Sequence, residues 1–84
     1  MDQDYLSSHD YYSTPDLALA TTISLWYPIE SIDRNTPTKA QFQFKRDDKL
    51  DQLIESYWKQ ELRIEPQAFF GQLKIIKSRL YGEK

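Results

Sequence analysis

The sequence predicts an α+β domain with an N-terminal helix, an antiparallel β-hairpin in a sheet of two or three strands, and two further helices on one face of that sheet. Three observations predict it. Ala40-Gln41-Phe42-Gln43-Phe44-Lys45 alternates strictly, with Ala40, Phe42 and Phe44 on one side and Gln41, Gln43 and Lys45 on the other. Period two with aromatics on one face marks a half-buried strand. Leu50, Leu53, Ile54, Tyr57 and Trp58 recur at spacings 0, 3, 4, 7 and 8, one face of an amphipathic helix. Finally, Arg34-Asn35-Thr36-Pro37 has turn chemistry immediately before the alternating strand.

Residues 1–10 are polar and acidic without periodicity, and are expected to form a disordered tail before a single domain over residues 11–82. Tyr11-Tyr12-Ser13 has the composition of a short edge strand. Thr14-Pro15-Asp16 then reads as a helix start, with Thr14 as cap, Pro15 in the first helical position and Asp16 at the positive end of the dipole. Leu19, Ala20, Ile23, Trp26 and Tyr27 share one face of this first helix, and Pro28 stops it. Ile29–Asp33 is the partner strand of the hairpin.

Asp47-Asp48 caps the second helix. Glu55 and Lys59 form an outward pair on it in the favourable order. Leu62-Arg63-Ile64 fits either a third strand or a connector. Glu65-Pro66 opens the third helix, whose main stripe is Phe69, Leu73, Ile76 and Leu80, and Gly82 is its natural stop. Ala68, Gly71, Ile75 and Ser78 make a second stripe of mostly small residues. It is expected to meet the second helix; the sharper reading makes it a self-association face.

Composition bounds the function. An 84-residue chain is one small domain, and without cysteine it has neither disulfide nor thiolate metal site. Its 12 aromatic side chains must carry most of the burial, six of them tyrosines. No signal peptide or spanning segment is seen, so a soluble, cytoplasmic protein is expected. The formal net charge of −2 conceals an asymmetry. Residues 1–33 carry six acidic and no basic side chains, whereas residues 34–84 carry 11 basic and seven acidic ones.

Tyr12-Ser13-Thr14-Pro15-Asp16-Leu17-Ala18-Leu19-Ala20 follows an aromatic-x-Thr-x-Asp-Leu-x-Leu-Ala pattern. Ile32-Asp33-Arg34 precedes the hairpin, Phe42-Gln43-Phe44 lies in the strand, and Tyr57-Trp58 ends a helix. Leu73-Lys74-Ile75-Ile76-Lys77-Ser78-Arg79 closes the series. In this order the motifs resemble a small prokaryotic and phage family, a domain of unknown function, over about residues 11–81. The chain departs from that pattern at Trp26-Tyr27-Pro28, where a glycine turn is expected. The resemblance implies a compact α+β fold and transfers no catalytic residue.

Little in the sequence supports catalysis. The single histidine, His9, lies in the tail, and the two glycines, Gly71 and Gly82, make no phosphate loop. The expected function is therefore non-enzymatic: an accessory module acting on an unknown protein partner or on a second copy. No membrane and no small-molecule cofactor are expected. Tyr5, Tyr11, Tyr12 and Tyr81 are candidate anchors, and Ile75 the centre of the self-association face. The alternative is nucleic-acid binding through Arg34, Lys39, Lys45 and Arg46 on the hairpin with Lys74, Lys77 and Arg79 on the last helix. The more remote alternative is a minimal metal-dependent nuclease. In it Asp33, helped by Glu30, holds magnesium while Gln43 and Lys45 face it across the hairpin.

Overall fold

A computed structural model describes residues 10–34 and 39–82. Its elements are β1 (Tyr11–Thr14), α1 (Leu17–Ser24), β2 (Ser31–Asp33), β3 (Gln41–Lys45), α2 (Asp48–Trp58) and α3 (Pro66–Gly82). The three strands form one antiparallel sheet in the order β1-β3-β2. The α+β prediction and the hairpin are as expected.

The register explains which side chains enter the core. Phe42 stands opposite Thr14 on one flank and Ile32 on the other, and Phe44 opposite Tyr12. Directly opposed residues point to the same face. Phe42, Phe44 and Thr14 are buried; Tyr12 and Ile32 are half-buried. The other face carries Tyr11, Ser13, Ser31, Asp33, Gln41, Gln43 and Lys45. Across it Ser31 donates from Oγ to Gln43 Oε1 at 2.6 Å. The sheet therefore buries one side only.

The third strand is β1 at Tyr11–Thr14, where a short edge strand was expected, and of the two readings of Leu62-Arg63-Ile64 the connector is the one the structure shows. A strand next to β3 needs an antiparallel approach with its apolar side inward, and Tyr12 and Thr14 supply it. Leu62 and Ile64 lie half-buried between α2 and α3 without ladder partners. Next to β1, the Arg46 amide donates to the Asp10 carbonyl at 2.8 Å. The rest of the predicted tail, residues 1–9, lies outside the described residues.

Helix α1 starts later than expected. Thr14 belongs to β1, and its buried hydroxyl accepts from the Asp16 amide at 3.1 Å. Asp16 is the true cap: its carboxylate accepts from the Leu19 amide at 3.1 Å. Pro15 thus precedes the helix rather than opening it. The helix also ends before Pro28, at Ser24, and Trp26 and Tyr27 leave the helical face on which the spacing put them.

What makes α1 central is its composition. Leu-Ala-Leu-Ala-Thr-Thr-Ile-Ser contains no charge, and Leu19 to Ile23 are buried without interruption. A helix without charge must be largely covered, and of its residues Ala18 alone is exposed. It packs against β1, α2 and α3. Thr21 and Thr22 survive burial because their hydroxyls donate to the Leu17 and Ala18 carbonyls at 2.8 and 2.9 Å. Among the described residues no buried side-chain polar atom lacks a partner. Leu50 of α2 and Ile76 of α3 complete the core with Phe42 and Phe44.

The sequence anticipated the starts of the other two helices. The Asp47 carboxylate accepts from the Leu50 amide at 2.8 Å, and the Glu65 carboxylate from the Ala68 amide at 2.8 Å. Glu55 and Lys59 pair at 3.3 Å on the outside of α2. Helix α3 turns Phe69, Leu73, Ile76 and Leu80 inward as expected. Its second stripe is a correction: Ala68, Gly71, Ile75 and Ser78 are all exposed, because α3 packs mainly on α1 and presents that stripe to solvent.

Candidate interaction surface

Two of the basic residues named from the sequence are engaged within the fold. The Arg34 guanidinium donates through Nη2 to the Arg79 and Leu80 carbonyls at 3.0 and 3.2 Å. It thereby caps the negative end of α3 and ties the hairpin to it. Arg46 pairs through Nε with Asp51 at 2.9 Å in the first turn of α2. Lys39 and Lys45 flank opposite ends of β3, and Lys45 stands beside Tyr11 on the open sheet face. Lys74 and Lys77 are exposed on α3. The hairpin thus adds exposed lysines to the surface, while its two arginines are engaged by the carbonyls of α3 and by Asp51.

The remote nuclease geometry is also spread out. Asp33 is opposite Gln41, whereas Lys45 is opposite Tyr11. Four residues of strand separate those positions, about 13 Å along β3. Glu30 precedes β2, where its amide donates to the Gln43 carbonyl at 2.8 Å. Among the described residues no group of three or more His, Cys, Asp or Glu side chains is placed to hold a metal ion.

Large apolar side chains in solvent dominate the surface instead. Trp26 is 54% exposed, Trp58 60%, Phe70 59% and Tyr81 71%; Ile75 and Tyr11 are exposed as well. Of the tyrosines expected as anchors, Tyr11 and Tyr81 are outside, Tyr12 is turned inward, and Tyr5 lies outside the described residues. Both tryptophans and Phe70 were missed as surface residues. Trp26 and Trp58 fitted the apolar spacing of their segments, but Trp26 lies beyond the end of α1 and Trp58 is the last residue of α2.

Some of these rings are braced. Tyr57 and Trp58 meet edge to face with centroids 5.0 Å apart, as do Phe69 and Phe70 at 5.6 Å. Tyr57 is half-buried, and burial together with the nearby Asp16 carboxylate raises its phenol pKa. That proximity places the end of α2 beside the start of α1. At the other end of the pair, the Tyr27 hydroxyl donates to Asp47 Oδ1 at 2.9 Å.

A family model described as a domain of unknown function, DUF5659, matches residues 9–82. The chain belongs to this family. The match takes in every strand and helix of the fold, from β1 to the end of α3. No curated protein and no solved structure matches the chain. In this member of the family the fold is one largely buried helix, a half-covered sheet and two outer helices. Among the described residues, none of its helices is long and apolar enough to cross a membrane.

Proposed function

We propose that this DUF5659 chain is a non-enzymatic accessory module that works by binding another protein through its surface. The exposure of both tryptophans carries the reading. Tryptophan is enriched among the residues that dominate binding energy, and two of them stand more than half exposed on this small domain. The resemblance described above supports a prokaryotic or phage setting, and the absence of cysteine a reducing compartment such as the cytoplasm.

Nucleic-acid binding is the weaker reading. Arg34 and Arg46 are engaged within the fold. A sequence pI of 5.3 also opposes it.

Affinity capture from the native host tests the proposal, comparing the wild-type chain with Trp26→Ala and Trp58→Ala. The expected result is a protein retained by the wild type and lost, or held far more weakly, by at least one variant of unchanged melting temperature. Identical retention by all three chains overturns the role given to the tryptophans.

A further inference from the structure

We infer that the exposed stripe of α3 formed by Phe70, Lys74, Lys77 and Tyr81 is the docking site for an acidic, apolar segment of a protein partner. The inference rests on the protein-binding reading above and names the chemistry of the partner. The four residues are spaced 4, 3 and 4 apart, so they line one side of the helix over about 16 Å. All four are exposed.

Three further observations give the stripe its partner. Helix α3 contains no acidic side chain from Pro66 to Gly82. Neither Lys74 nor Lys77 is hydrogen-bonded or ion-paired among the described residues. Two free cations between two rings present an apolar-cationic surface, complementary to carboxylates flanked by apolar side chains. Phe70 is already braced edge to face on Phe69, which lowers the entropy lost when a partner covers it.

The charge count favours a polypeptide over the other anionic macromolecules. Two lysines on a chain of net charge −2 neutralise few phosphates, so a nucleic acid gains little from them. Two carboxylates on a peptide are matched one for one.

The test is selection of short peptides from a random display library on the full chain, followed by fluorescence-anisotropy titration of the winners. Enrichment of paired Asp or Glu beside Leu, Phe or Trp is expected. Phe70→Ala should weaken such a peptide about tenfold or more. The double substitution Lys74→Glu, Lys77→Glu should weaken it and invert the charge preference, so that a Lys-for-Asp version of the peptide binds better than the original. Peptides without acidic bias, or affinities unmoved by both substitutions, overturn the inference. So does tighter binding of oligo(dT) or of phosphatidylglycerol vesicles. Peptides released only by Trp26→Ala or Trp58→Ala overturn the α3 site while leaving the protein-binding reading in place. No enriched peptide together with no captured host protein overturns both.

Discussion

Gln60 sits in left-handed backbone with φ of 61°, at the position where helices most often place glycine. Its amide donates to the Tyr57 carbonyl at 3.0 Å, and the Glu61 amide to that of Ser56 at 3.0 Å, the two bonds of a Schellman ending. Gly71 is the converse case, a glycine inside α3 with open space where a Cβ would stand. Gln60→Gly and Gly71→Ala should therefore each stabilise the fold by about 1 kcal/mol. Thermal melts should rise by roughly 4–8 °C for each; a fall in either would contradict the backbone assignment. Asp47 supplies a pH-dependent contribution. The Leu50 amide and then the Tyr27 hydroxyl hold its carboxyl below the ordinary aspartate pKa. A lowered folded-state pKa contributes stability above the unfolded pKa, which is lost as pH falls through the folded one. Acidification below the ordinary aspartate range should therefore lower the melting temperature. Asp47→Asn, which keeps a capping acceptor, should flatten that dependence; an unaltered acid profile would exclude Asp47 as its source.

Among elements, α1 and β3 depend on each other. The charge-free helix needs cover over Leu19 to Ile23, and Phe42 and Phe44 contribute to it from the sheet. Phe42→Ala removes a fully buried ring and should cost about 3–5 kcal/mol. A core of this size supplies about the same amount, so the variant should be unfolded by circular dichroism at room temperature. A melting curve like that of the wild type would show that Phe42 is not the floor of the core. Helix α3 is held differently, by Ile76 in the core and by the Arg34 guanidinium on its last carbonyls. The same arginine that looked like a phosphate ligand is accounted for by the two orphan carbonyls it caps.

For the whole molecule, the sheet is stable because β3 is central. Without β1 it is a two-stranded hairpin, marginal in water, and Phe44 loses the covering Tyr12. Removal of residues 1–14 should therefore abolish cooperative unfolding, followed by denaturant titration. A truncated chain with an undiminished transition would reduce β1 to an ornament of the sheet. The distribution of apolar surface is also a property of the whole. Among the described residues Tyr11, Trp26, Trp58, Phe70 and Tyr81 are the aromatic rings left outside, because the helices and strands cover one another along their inner faces only.

Alternation at 40–45, the capping chemistry of Asp47 and Glu65, and the 3.6-residue stripes of α2 and α3 were sufficient by themselves to set the fold class. These are local signals, fixed by which faces a strand or helix must bury. Tertiary packing alone decided that Tyr11–Thr14, not Leu62–Ile64, completes the sheet, because strand pairing depends on an approach geometry that no short segment encodes. It likewise decided that Arg34 and Arg46 serve the fold, and that Trp26, Trp58 and Phe70 face water. A side chain's exposure depends on where the neighbouring elements end, and its own position in the chain cannot specify that.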